Sequence, residues 1–272
     1  MKQSIGLKSV GNARELGGYP AAGGKRVRHG VLLRTAGMVR LSPEDEQRLE
    51  KDFHVTRVVD LRTEDEQRLQ PDPAVKGAEN TAISLMEMSD IPGVSEELLQ
   101  LYLDTRERGN MLELLEMMLE MDVIDESFYI TLLTTRRGID GYRRFFRLLL
   151  ETEEGSAFLW HCTDGKDRTG IAAMLILTAL GADRETITAD YLLTNEYNSR
   201  QLAMVQAAFA KRELTEHQRR MLDFVSGGVA EEFLNNAYAA LEERYGSVEA
   251  YMEQELGVSA AEREKLRRMF LE

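Results

Sequence analysis

The residues with the most chemical potential stand together in His161-Cys162-Thr163-Asp164-Gly165-Lys166-Asp167-Arg168-Thr169-Gly170. Five residues separate a cysteine from an arginine, and a Thr-Gly pair follows. Successive backbone N–H groups of such a loop can converge on one anion, and a helix opening at its end adds a positive dipole. The same field favours thiolate over thiol at Cys162, which makes that sulfur a nucleophile near neutrality. Arg168 supplies a planar fork able to grip two oxygens of a phosphate. Gly165 lets the backbone turn where a Cβ would obstruct it. The alternative is a structural cysteine beside an unrelated arginine. The pattern H-C-x-x-G-x-x-R-[ST]-G, however, should arise by chance in only about one chain per million of this length.

Such a loop works only if a strand delivers the cysteine and a helix receives the arginine. Ala157 to His161 reads as that strand, and a helix from about Thr169 to Leu180, stopped by Gly181, as that helix. The helix is apolar nearly all round, so a buried, central place is expected. Val31 to Arg34 and Val55 to Leu61 read as further buried strands, with a helix start at Ser42-Pro43-Glu44-Asp45 between them. From Arg184 onward the pattern is mostly helical. Strand, loop and buried helix with flanking helices predict an α/β domain. Met111 to Met121 reads as a helix with a wide apolar face and four of the 13 methionines, either an ordinary packing helix or a movable lid.

Composition narrows the classes. The 272 residues carry 34 Lys and Arg against 47 Asp and Glu, a net charge of −13. That argues against nucleic-acid binding and against docking on anionic membranes by charge. The longest apolar run, Ile171 to Leu180, is about half of a membrane span, and the N-terminus lacks the apolar segment of a secretory signal. Cys162 is the one cysteine, which excludes an internal disulfide and a thiolate metal cage and makes a cytoplasmic location the simplest expectation. Gly165-Lys166 is followed by aspartate, so no nucleotide P-loop is present. His-Glu-x-x-His and G-x-S-x-G are missing as well, which argues against a catalytic zinc and a serine hydrolase. No metal or other cofactor is expected.

The H-C-x-x-G-K-D-R-T-G loop resembles the signature of the cysteine-dependent phosphatases, in the form typical of the bacterial tyrosine/serine protein phosphatase family. Asn12-Ala13-Arg14-Glu15-Leu16-Gly17-Gly18 is similar to that family's N-F-R-D-L-G-G, Leu33-Arg34-Thr35-Ala36 to its Y-R-S-G, and Val59-Asp60-Leu61-Arg62 to its I-D-L-R. Asp190 to Tyr197, and Tyr245-Gly246-Ser247 through Leu256-Gly257, follow its C-terminal pattern. Ala13 and Glu15 depart from the usual Phe and Asp, and Asp164 stands where alanine is common. The resemblance implies one phosphatase domain over 1–272. Its protein-tyrosine-phosphatase-like central sheet is flanked by helices, with a helical insertion at about 84–126 before the signature strand.

The resemblance further implies hydrolysis of phosphate monoesters through a phosphocysteine on Cys162. Arg168 and loop amides from Thr163 to Lys166 would hold a phosphate in the loop, and Thr169 would donate to the leaving thiolate. His161 is expected to orient the loop. The general acid stays open between Asp167, inside the loop, and Asp60, at a strand end, with pairing to Arg14 or Arg62 as the structural alternative for Asp60. Arg34 and Arg62 are expected to be structural. Lys166 would add a cation at the loop rim and could pair with Asp164. The implied substrates are phosphotyrosine proteins, with dual specificity for phosphoserine and phosphothreonine. Phosphoinositides or inositol phosphates are the alternative, and a binding-only inactive relative is the competitor from another class.

Overall fold

The protein is described by a computed structural model covering residues 3–121 and 124–272. Five strands form one sheet: β1 (Arg14–Glu15), β2 (Leu32–Thr35), β3 (Val55–Asp60), β4 (Glu79–Ala82) and β5 (Ala157–His161), in the order β1-β2-β5-β3-β4. β5 reads Ala-Phe-Leu-Trp-His and is buried at every position, as a strand covered on both faces must be. It runs parallel to both β2 and β3, and β1 alone is antiparallel to its neighbour. The register sets Thr35 and Asp60 on either side of His161 at the carboxyl edge. Ligand sites of open α/β sheets form at that edge.

Among the described residues, thirteen α-helices surround the sheet. Ahead of the signature strand come α1 (Pro43–Lys51), α2 (Glu64–Leu69), α3 (Glu96–Glu107), α4 (Met111–Met121), α5 (Phe128–Thr134) and α6 (Arg136–Leu150). After it come α7 (Asp167–Leu180), α8 (Arg184–Tyr197), α9 (Ser199–Phe209), α10 (Glu216–Val225), α11 (Glu231–Tyr245), α12 (Val248–Gln254) and α13 (Ala260–Phe270). Ser42 caps α1 as expected, its hydroxyl accepting from the Asp45 amide at 3.2 Å. Every residue of α7 from Thr169 to Leu180 is buried, which accounts for its apolar circumference.

One boundary and two strands differ from the sequence expectation. The helix after the signature loop opens at Asp167, so Asp167 and Arg168 sit in its first turn. β1 and β4 have no counterpart in the sequence reading. One is two residues long and the other, Glu-Asn-Thr-Ala, is mostly exposed, so neither carries a strand-like apolar pattern. In the 84–126 stretch, α4 buries Leu115 and Leu119. Ion pairs between Glu116 and Arg212 and, at 3.1 Å, between Glu126 and Arg220 tie this stretch to α10 and the turn before it. Among the described residues, no helix is long and apolar enough to cross a membrane.

Candidate active site

Cys162 directly follows the last residue of β5 and is almost wholly buried, with 1% of its surface exposed. The chain then turns through Thr163, Asp164, Gly165 and Lys166 into α7. Gly165 adopts φ +66°, and a Cβ there would lie 2.5 Å from the Thr35 carbonyl oxygen. Only glycine satisfies both conditions, so the turn that brings Arg168 back over Cys162 depends on it.

The loop is pinned from several directions. The Gly37 amide donates to the Thr163 carbonyl at 2.9 Å. The Asn12 side-chain amide donates to the carbonyls of Asp164 (3.1 Å) and Gly165 (2.9 Å), and Arg34 donates to Gly165 at 2.8 Å. Below them, Arg14 and Arg34 share Asp190, at 3.1 and 2.5 Å, with all three side chains at 1% exposure or less. The Arg34 guanidinium is thus directed to Asp190 and to the backbone of the loop.

Arg168 is held by a residue the sequence reading passed over. Glu66 of α2 takes its guanidinium on both carboxylate oxygens and also accepts from the Thr163 hydroxyl. Burial alone would loosen the Arg168 proton, but Glu66 and Cys162 outweigh it and hold the guanidinium firmly charged. The sequence did carry a signal for Glu66, the capping box with Thr63, yet that signal only predicts a helix start.

The two acid candidates lie in contrasting settings. Asp60 is claimed by Arg62, which bonds it through Nε and, at 2.8 Å, through one terminal nitrogen. Burial pushes Asp60 up, but Arg62 and His161 prevail and hold it below the usual carboxylate range. Arg62 also reaches Asp72 at 2.8 Å, and His161 lies 3.3 Å from Asp72 through Nε2. Asp60, Asp72 and His161 are the one group of potential metal ligands among the described residues, and Arg62 already supplies the positive charge there. Asp167, in the first turn of α7, accepts from the Tyr129 hydroxyl at 2.7 Å on Oδ1, and its Oδ2 is 3.3 Å from Lys166.

Lys166 departs from expectation. It is 3% exposed, donates to the carbonyls of Phe224 and Gly228, and sits 3.9 Å from the centre of the Phe224 ring. Its partner is Asp167, not Asp164, because the 224–228 turn folds over it from behind the loop. Asp164 instead receives a hydrogen bond from the Gln201 side chain, and burial pushes its carboxyl above the usual range against the pull of Lys166. The Thr169 hydroxyl is buried without a hydrogen-bond partner. Beside Thr163 opens a cleft of about 320 Å³ lined by Ser9, Gly37, Val39, Arg40, Arg62 and Gln70.

A buried cysteine at the carboxyl edge of a mostly parallel sheet, with a five-residue loop and an arginine entering a buried helix, is the arrangement that the resemblance to the tyrosine phosphatases implies. Comparison with known proteins agrees. A profile of the tyrosine phosphatase family matches residues 5–272, and the chain belongs to that family. A Cupriavidus necator protein whose name provisionally assigns it as a tyrosine-protein phosphatase is 29% identical over 265 residues, covering 96% of this chain and 87% of that one. The triple specificity protein phosphatase PtpB of Mycobacterium tuberculosis is 34% identical over 155 residues, covering 50% of this chain and 55% of its own. A tyrosine-protein phosphatase of Nostoc commune is 31% identical over 127 residues, 46% of this chain and 42% of that one. The protein is a hydrolase of the protein-tyrosine-phosphatase type.

Proposed function

We propose that the protein cleaves phosphate monoesters in two steps through a phosphocysteine on Cys162, with phosphotyrosine in proteins as the principal substrate. The observation that carries this reading is the loop itself: Cys162 lies at its base, and Arg168 is charged and clamped by Glu66 at its far end. In the first step the Cys162 sulfur forms a bond to phosphorus as the bond to the leaving oxygen breaks. Asp167 supplies the proton to that oxygen. In the second step water attacks phosphorus, Asp167 takes the proton back, and the thiolate departs towards the Thr169 hydroxyl, whose freedom from other partners suits that role. Asp60 is the poorer acid, because Arg62 grips both of its oxygens and favours its ionised form, whereas Asp167 meets a single cation, Lys166, on Oδ2 at 3.3 Å. His161 orients the loop, bridging the Cys162 carbonyl at 3.4 Å and Asp72.

A nucleophile this deep favours a phosphate on a long arm, which phosphotyrosine has and phosphoserine lacks. The triple specificity in the name of the mycobacterial relative keeps more than one kind of phosphate ester within the proposal. The burial of Lys166 counts against its direct use on a second phosphate. The 84–126 stretch is proposed as a movable cover, since its ion pairs to the turn before α10 and to α10 itself are partly exposed and of the kind that open cheaply, while Leu115 and Leu119 seat it on the core.

Activity on 4-nitrophenyl phosphate should vanish in Cys162→Ser and in Arg168→Ala. Both should keep the wild-type circular dichroism, and vanadate should inhibit the parent enzyme. Turnover that survives loss of Cys162 would refute the covalent mechanism. A phosphate-release panel over phosphotyrosine, phosphoserine and inositol phosphates then ranks the substrates.

A further inference from the structure

Asp167 is the end of a buried hydrogen-bond chain that the two-step mechanism leaves unused. Tyr129 of α5 reaches Asp167 Oδ1 at 2.7 Å, and its hydroxyl lies 2.9 Å from that of Tyr191 in α8. Tyr191 is in turn 3.3 Å from the Ala230 carbonyl. Tyr129 is fully buried and Tyr191 is 2% exposed, and their rings meet edge to face at 6.1 Å. Phe224 and Phe233 close around Tyr129.

The chain has three gaps and only two hydroxyl protons. A carbonyl oxygen closes one end and can only accept. With Asp167 accepting, Tyr129 spends its proton on Oδ1, and Tyr191 must then donate to Tyr129 to close the second gap. The Ala230 contact, longest of the three, is left as the weak member. The lengthening from 2.7 to 2.9 to 3.3 Å follows that direction. Burial pushes both phenols up, so each keeps its proton and remains a donor throughout the working range.

We propose that Tyr191 and Tyr129 are positioning residues for Asp167, a donor chain that holds Oδ1 by a short hydrogen bond and leaves the proton exchange with the leaving group to Oδ2, whose charged neighbour is Lys166 at 3.3 Å. The proposal rests on the reading of Asp167 as general acid. When Oδ2 has delivered its proton, the new carboxylate charge is met at Oδ1 by a hydrogen bond already in place, itself strengthened by the Tyr191 donor behind it. No proton moves along the chain. Its function is to fix the rotamer of Asp167 and to stabilise the charged product of proton transfer. Neighbouring residues of α8 thereby serve two ends of the loop, Asp190 holding Arg14 and Arg34 while Tyr191 holds the acid through Tyr129.

A general acid matters most when the leaving group is poor, which provides a test that a merely structural role would not pass. kcat/KM is measured on phenyl phosphate, a poor leaving group, and on 4-nitrophenyl phosphate, a good one, for wild type, Asp167→Asn, Tyr129→Phe and Tyr191→Phe. Phenylalanine keeps the ring packing, and partial unfolding would lower both substrates by the same factor, so the ratio of the two is protected from it. Asp167→Asn should lose roughly a hundredfold on phenyl phosphate and only a few-fold on the nitrophenyl ester. Tyr129→Phe should lose about tenfold on phenyl phosphate and about twofold on the nitrophenyl ester, with Tyr191→Phe following the same pattern at smaller size. If Tyr129→Phe lowers both substrates equally, or neither, while Asp167→Asn discriminates, the donor chain is refuted and the acid stands. If Asp167→Asn fails to discriminate, Asp167 is not the acid and the chain falls with it.

Discussion

Two arginine–carboxylate clusters meet the signature loop, one at Gly165 and one at His161, and they are built with opposite charge. The first places Arg14 and Arg34 on the single carboxylate of Asp190, with no solvent at any of the three. The second places Asp60 and Asp72 on the single guanidinium of Arg62, beside His161 and with up to 16% exposure. Surplus positive charge therefore lies under the turn of the loop, and behind the strand that delivers Cys162 two carboxylates outnumber the one permanent cation, Arg62. The surplus has a cost in each case. Burial and repulsion from Arg14 bring Arg34 down to about 10, and burial raises Asp72 despite His161 and Arg62. The cationic surplus is the one placed to favour an anion in the loop. The difference teaches that bonded geometry and field are separable here: both clusters fix backbone, and only one adds attraction.

The largest expected effect comes from breaking the cationic cluster at its centre. Asp190→Asn keeps the shape but leaves two buried guanidinium groups facing each other without a counter-charge. Removal of one partner from a buried ion pair costs about 3–5 kcal/mol, so urea unfolding should show a loss of that order. A second change, Arg34→Met, should recover part of it in the double variant, because it removes the repulsion. A loss below about 1 kcal/mol for Asp190→Asn would mean that the cluster is not held by its carboxylate.

The acidic cluster should respond with two different signs. Asp60 lies below its ordinary value, so its contribution to stability is present above the unfolded-state pKa and is lost as pH falls through the lower folded value. Asp72 lies above its ordinary value, so its ionised form weakens the fold, and that penalty is relieved as pH falls through the raised value. Asp60→Asn should therefore cost about 1–2 kcal/mol at neutral pH. Asp72→Asn should be within about 0.5 kcal/mol of wild type, or more stable, with any gain shrinking between about pH 7 and 4. Chemical denaturation across that range checks both, and equal losses for the two variants would erase the distinction.

Much of this arrangement was legible because it is local. β5, the glycine turn, Arg168 and α7 lie within 24 consecutive residues, and apolar runs, a helix stop and the Cys–Arg spacing announce them. The residues that hold the machinery in place come from elsewhere. Glu66 sits 102 positions from Arg168 in an acid-rich run where no carboxylate stands out. Tyr129 lies just beyond the 84–126 stretch, 38 residues from the aspartate it bonds. The family-like Asp190-Tyr191 pair was visible as a match, while its division of labour between two ends of the loop requires the packing of α8. Lys166 misled for the same reason. Its neighbours in sequence suggest a rim, and the turn that buries it arrives 58 residues later.

The smallest effect should come from Asp164, a carboxylate inside the loop proposed to hold the phosphate. Fully ionised, at a separation of about 7 Å and an effective dielectric of roughly 40, it would repel one phosphate charge by about 1 kcal/mol. Two observations shrink that figure. Burial raises the carboxyl above the usual range, which disfavours its charged form, and the Gln201 side chain of α9 is hydrogen-bonded to it. Lys166, Asp167 and Glu66 also act on it, the first lowering and the other two raising its pKa. Asp164→Ala should then raise kcat/KM only about twofold. The gain should be larger on inositol-type phosphates than on a small aryl phosphate, and it should diminish at high salt. Its pH dependence has a definite sign. Below the raised pKa the wild-type carboxyl is neutral and the variant gains nothing, and above it the repulsion is switched on, so the ratio of variant to wild type should climb with pH. Asp164→Asn separates charge from shape, because it keeps a side chain for Gln201 to meet and should follow the alanine variant. A ratio that stays flat with pH would show that the Asp164 charge faces Gln201 alone, which would leave the cationic cluster beneath the loop as the dominant field at the phosphate.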